Sequence, residues 1–140
     1  MIGIDTTFLI QLTVQEAQKH RSAQELMKKK LRFGFCLTPQ IISEFIHIVT
    51  DNKRFEKPLS VPEALLKSGE YWHAAGTRHV FPDEQSMQLF HEWMIAYHLG
   101  RKRILDTMVA AVYYTAGVRK ILSSNGRDFK VFEVFEILEP

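Results

Sequence analysis

Short apolar segments alternate with helical stretches from one end of this chain to the other, and that alternation leaves few folds open. Ile2 to Asp5 reads as a strand. Thr13-Val14-Gln15-Glu16 has the form of a capping box and predicts a helix to about Lys30. Leu31 to Leu37 carries Phe33, Phe35 and Leu37 in the alternation of a strand, and Thr38-Pro39 then supplies an N-cap and a proline to open a helix to about Asp51. Beyond the polar stretch Asp51 to Pro58, Ser60-Val61-Pro62-Glu63 repeats the capping-box pattern and opens a helix to about Trp72. Arg78 to Phe81 is a predicted strand. Pro82-Asp83 starts a helix to about Leu99, with Gly100 where a left-handed residue ends a helix at least cost. Leu105 to Ala116 is a further helix stopping at Gly117, and Ile121 to Ser124 and Val131 to Leu138 are the last strands. Connections of this length suit right-handed crossovers, so the expected architecture is an α/β fold with a central, mainly parallel sheet covered by helices on both faces.

The 140 residues give room for one domain, residues 1–140, with a sizeable core. No apolar run approaches the roughly 20 residues that span a bilayer, and the mean hydropathy is −0.13, so no membrane segment is expected. Met1-Ile2-Gly3-Ile4-Asp5 lacks the basic start of a secretory leader, which makes the cytoplasm the expected location. The single cysteine, Cys36, lies between Phe35 and Leu37 and reads as a small buried hydrophobe. A net charge of +2 is too mild to imply a nucleic-acid partner by itself. The positive charge is nevertheless clustered, at Lys28-Lys29-Lys30-Leu31-Arg32 and at Arg101-Lys102-Arg103, which are either solvated helix ends or phosphate contacts.

Four carboxylates, Asp5, Glu44, Asp106 and Asp128, lie inside or beside apolar segments rather than in polar loops. Burying ionised carboxylates is costly unless something neutralises them, and a hard divalent cation does so through oxygen ligands. In open α/β sheets the ligand crevice lies at the carboxyl ends of the strands. Asp5 ends the first strand, where it is either a site residue or the cap of the following turn. Glu44 shares a helical face with Ile41 and Ile48, or lies at the edge of a stripe centred on Ile42, Phe45 and Val49. Asp106 stands three residues after the second basic run and is also placed to be an N-cap. Ser123-Ser124-Asn125-Gly126-Arg127-Asp128-Phe129 follows a strand and offers an amide, two hydroxyls and a carboxylate, with Asn125 and Asp128 both candidates to face an ion. The glycines fit no P-loop or dinucleotide fingerprint, and the six histidines show no zinc spacing.

Taken together, Ile4-Asp5-Thr6-Thr7-Phe8-Leu9-Ile10, Ile42-Ser43-Glu44-Phe45, Leu105-Asp106-Thr107-Met108-Val109-Ala110-Ala111 and Ser124-Asn125-Gly126-Arg127-Asp128-Phe129 resemble, in order, the four motif blocks of PIN-domain ribonucleases, particularly the VapC-type toxins of toxin–antitoxin pairs. The resemblance implies a three-layer α/β/α fold and a magnesium- or manganese-dependent endoribonuclease. Its core acids would be Asp5, Glu44 and Asp106, with Asp128 as the fourth. Thr6 and Ser124 match hydroxyl positions that support the acids. Thr7 departs from the asparagine common at its position, which weakens a supporting role for that side chain. Arg101, Lys102 and Arg103 become candidates to grip RNA phosphates. An antitoxin and a second copy of the chain are the implied protein partners. Two other readings compete: a catalytically inactive PIN-like module acting through a protein partner, suggested by the apolar residues running most of the way round the Pro82 to Leu99 helix, and a DNA nuclease on the same fold.

Overall fold

The computed structural model describes residues 1–140. Its strands are β1 (Ile2–Ile4), β2 (Phe35–Leu37), β3 (Thr77–His79), β4 (Lys120–Leu122) and β5 (Glu136–Leu138). The helices are α1 (Thr6–Thr13), α2 (His20–Lys30), α3 (Pro39–Val49), α4 (Val61–Trp72), α5 (Glu84–Ala96), α6 (Ile104–Thr115) and α7 (Arg127–Lys130). Every strand pairs in parallel, in the order β3-β2-β1-β4-β5. The chain therefore winds outward from β1 through β2 to β3, then returns to the other side of β1 for β4 and β5. Reversing the direction of winding puts successive right-handed crossovers on opposite faces of the sheet. Accordingly, α1 to α4 pack among themselves as one layer, and α5, α6 and α7 as the other. The result is a three-layer α/β/α fold. No helix is long and apolar enough to cross a membrane.

Local chemistry accounts for most of these elements. In α3, Ile41, Phe45 and Val49 recur every four residues and are buried along one stripe, each worth roughly 1.5–3 kcal/mol of apolar burial. The expected capping box at α4 is complete: the Glu63 amide donates to Ser60 Oγ at 3.2 Å, and the Ser60 amide donates to Glu63 Oε1 at 3.3 Å. In α6, Thr107 and Val109 to Tyr113 are all buried, because this helix lies between the sheet and α5. Tyr113 is wholly buried, and its hydroxyl is shared between the carbonyls of Ile4 at 2.6 Å, the last residue of β1, and Cys36 at 3.1 Å, within β2. Gly3 makes room for that ring: a Cβ there would stand 2.9 Å from it.

Five expectations are corrected. Thr6 to Thr13 is a helix, and Thr13 ends it instead of opening the next: its hydroxyl donates to the Leu9 carbonyl at 2.8 Å, and α2 begins only at His20. Leu31–Phe33 is a single 3-10 turn leading to Gly34 at φ 68°, so only Phe35–Leu37 pairs as strand, while Phe33 is exposed beneath the Arg32 guanidinium. The left-handed residue after α5 is His98 at φ 52°, with Gly100 at φ −92°. Asp106 stands inside the first turn of α6, and Arg103 occupies the capping position. Val131 to Phe135 is not strand. It turns Phe132 and Phe135 onto Trp93, with ring centroids at 4.5 and 6.4 Å, and leaves Glu136–Leu138 to pair.

Candidate active site at the carboxyl edge of the sheet

Because all five strands run the same way, the residues that follow them gather along one edge. Asp5 follows β1, and Ser123 follows the neighbouring β4. The strands are in register from Ile2 opposite Lys120 to Ile4 opposite Leu122, and the Asp5 amide continues the ladder by donating to the Leu122 carbonyl at 2.9 Å. Asp5 and Ser123 thus meet across 118 residues of chain. Ser123 Oγ donates to Asp5 Oδ2 at 2.9 Å, and Thr7 Oγ1 donates to the same oxygen at 2.6 Å. Both hydroxyls are aimed by backbone amides: Asn125 N donates to Ser123 Oγ at 3.0 Å, and Ser124 N donates to Thr7 Oγ1 at 3.0 Å. With their oxygens accepting from amides, the hydroxyl protons are left to point at Asp5. Asp5 sits at the N-cap position of α1, yet its side chain makes no capping bond. Its carboxylate is committed to the pocket instead.

Glu44 reaches the same edge from α3. Thr6 Oγ1 donates to Glu44 Oε2 at 3.0 Å, and Gln40 Nε2 donates to Glu44 Oε1 at 2.9 Å. Gln40 also donates to the Leu105 carbonyl at 3.0 Å, which ties α3 to the first turn of α6 beside Asp106. Asp128 is held by Asn125 Nδ2, which donates to its Oδ2 at 3.0 Å. Arg103 Nη1 lies 3.4 Å from Asp128 Oδ1, and Nη2 donates to the Asp128 carbonyl at 2.7 Å. Between the two candidates in this loop, Asp128 presents the carboxylate and Asn125 braces it.

Electrostatics shows that the four acids share one neighbourhood. Asp106 is pushed up to about 6, first by partial burial and then by the charges of Asp128, Asp5 and Glu44, with Arg103 opposing. Burial raises Asp5 as well, and the bonds from Thr7 and Ser123 hold it back. As the side chains stand, no three acidic, cysteine or imidazole groups are drawn together tightly enough to hold an ion. What the four acids have in common is a negative field that Arg103 only partly offsets. The donor set is carboxylate and hydroxyl oxygen throughout, in kind that of a hard divalent cation.

The supporting residues differ in part from those read in the sequence. Thr6 bonds an acid, as the motif blocks imply. Thr7, discounted for not being asparagine, is instead a hub between Asp5 and the Ser124 amide. Ser124 Oγ is buried with no partner, and the hydroxyl that reaches Asp5 belongs to Ser123, the other hydroxyl of the loop, which the motif blocks do not single out. Arg101 and Lys102 line a groove with Glu44 and Asp106, whereas Arg103 is turned toward Asp128 and does not line it.

The three-layer α/β/α fold around a five-stranded parallel sheet is PIN-like, and solved structures of a VapC toxin and of VapBC complexes share it. VapC20 of Mycobacterium tuberculosis, described as a toxin that cleaves the sarcin-ricin loop, matches with a TM-score of 0.77 and 16% identity over 100% of both chains. VapBC2 of Rickettsia felis, bound to a DNA fragment from its promoter, matches at 0.68 and 11% identity over 100% of this chain and 99% of the other. VapBC-1 of nontypeable Haemophilus influenzae matches at 0.69 and 13% identity, over 99% and 98%. No family model and no curated protein matches the sequence.

Proposed function

We propose that the protein is a divalent-metal-dependent endoribonuclease, hydrolysing RNA phosphodiester bonds as the toxin of a toxin–antitoxin pair in the cytoplasm. The observation that carries this reading is the gathering of Asp5, Glu44, Asp106 and Asp128, from four separate segments, into one negative field at the carboxyl edge of a VapC-like sheet. Asp5, Glu44, Asp106 and Asp128 would hold magnesium or manganese. When bound, the cation supplies charge neutralisation at the phosphate and lowers the pKa of water. Thr7, Ser123, Thr6, Gln40 and Asn125 orient the acids by the bonds described above. Arg101 and Lys102, beside Glu44 and Asp106 in one groove, attract the phosphate backbone. Metal-assisted hydrolysis needs no protein nucleophile, and water attacking in line should leave a 5′-phosphate and a 3′-hydroxyl. An antitoxin as partner is supported by the VapBC complexes among the matching structures, and a homodimer is the expected assembly.

Asp5→Asn and Asp106→Asn should each abolish cleavage of RNA in magnesium or manganese while the far-ultraviolet circular dichroism is retained. Full activity in both variants would end the catalytic reading. A partner-binding module without catalysis is the second reading, favoured by the exposure of Met87 and Ile95 on α5, the latter 75% exposed. Wild-type protein that neither binds divalent ions nor turns over RNA would select it.

A further inference from the structure

Resting on the nuclease reading, we infer that the groove between α3 and residues 101–106 seats an unpaired stretch of the RNA strand next to the cleaved bond, with Arg54 as a phosphate contact and Leu105 as a platform for a base. The groove, about 630 Å³, is lined by Glu44 and Asp106 and, outside the acid cluster, by Arg54, Arg101 and Lys102. Arg101 and Lys102 have no carboxylate partner, and Arg54 is held only loosely, 3.9 Å from Asp51 with 61% of its side chain exposed. An acidic centre repels a polyanion, so a strand reaches it only where cations stand alongside, and these three flank the acids in the same groove.

The groove also carries apolar surface that charge does not explain. Leu105 is 61% exposed and Ile104 40% exposed, side by side on the first turn of α6. Gln40 fixes the backbone there by its bond to the Leu105 carbonyl. Exposed aliphatic side chains on this anchored turn, among cations, offer apolar surface to the face of a nucleobase above a phosphate. A duplex keeps its bases stacked and cannot offer that face, so the groove takes single-stranded or looped RNA.

The test is binding without turnover: fluorescence anisotropy of a short single-stranded oligoribonucleotide, and of the same sequence as a duplex, in EDTA across a potassium chloride series. Arg54→Ala should weaken single-strand binding and shrink the slope of log K against log salt by about 0.7, the value of one lost phosphate contact. Leu105→Ser should weaken single-strand binding several-fold with that slope unchanged and leave duplex binding as it was. Arg21→Ala, on α2 with its side chain 92% exposed, should change neither. Wild-type affinity and slope in Arg54→Ala, or equal losses on duplex and single strand in Leu105→Ser, would overturn the inference while leaving the catalytic reading to the Asp5 and Asp106 variants. RNA binding through these residues by a protein that cleaves nothing would instead overturn the catalytic reading and keep the groove. Wild-type protein that cleaves RNA yet does not hold the single strand, or that binds no RNA, would overturn the groove.

Discussion

Asp106→Asn should make the metal-free protein more stable at neutral pH. In the folded chain Asp106 titrates near 6, against an ordinary value of 3.8, because of burial and the charges of Asp128, Asp5 and Glu44. An acid raised on folding binds more protons in the folded than in the unfolded state between those two values, so stability falls as pH rises from about 4 to about 6 and stays low above. Taken in full, a difference of that size corresponds to about 3 kcal/mol. Asp106 is only partly buried, and water screens part of the repulsion, which leaves about 1–2 kcal/mol. Asparagine keeps the shape and removes the charge, so in EDTA at neutral pH the variant should melt about 3–6 °C above the wild type. Near pH 4, where Asp106 is largely protonated, the two should coincide. Urea denaturation at both pH values measures this directly. Asp5 is also raised by burial and keeps its own contribution in the variant, so the pH slope should become shallower without vanishing. Magnesium should reverse the order, because an ion held by the acids stabilises the wild type more than the variant. If Asp106→Asn is no more stable than the wild type at neutral pH in EDTA, burial and the neighbouring acids do not raise Asp106 as described.

Ser123→Ala removes one of the two hydroxyls that donate to Asp5, and affinity for manganese should fall about 10–100-fold by calorimetric titration with the fold unchanged; undiminished affinity would exclude Asp5 from the ion site. Tyr113→Phe strips a donor from the buried carbonyls of Ile4 and Cys36 and should cost about 1–3 kcal/mol in urea denaturation. Gly3→Ala sets a Cβ 2.9 Å from the Tyr113 ring and should cost a similar 1–3 kcal/mol, and a neutral result in the same assay would mean that β1 and α6 are less tightly seated than described.

The layered architecture was legible because the capping residues and apolar stripes are local signals. Ser60 and Glu63 satisfy each other wherever they stand, and Ile41, Phe45 and Val49 declare a face without reference to the rest of the chain. The acids were legible for a different reason: a carboxylate in an apolar segment is conspicuous in a single sequence. What sequence could not show was register. Ser123 and Ser124 are chemically identical neighbours, and only the alignment of Ile4 with Leu122 decides that the first meets Asp5 while the second is left unpaired. The helix Thr6–Thr13 was missed because consecutive Phe8, Leu9 and Ile10 are all buried, which erases the stripe that marks an amphipathic helix. Thr13 offered a capping pattern that its bonds to the Leu9 carbonyl and to the distant Tyr71 hydroxyl overrode. Arg103 could be counted among the basic residues, but its turn toward Asp128 is a tertiary fact.

The winding order β3-β2-β1-β4-β5 has a consequence for when in its life the molecule can gather its acids. The innermost strand is made first, yet the partner on its far side arrives only with residues 120–122, so Asp5 waits on the last quarter of the polypeptide for its Ser123 brace, and the other acids wait on it for Asp128. A nascent or prematurely terminated product that stops short of β4 has no means of assembling the centre, whatever else it has folded. Strand order alone thus leaves incomplete copies without the assembled acidic edge.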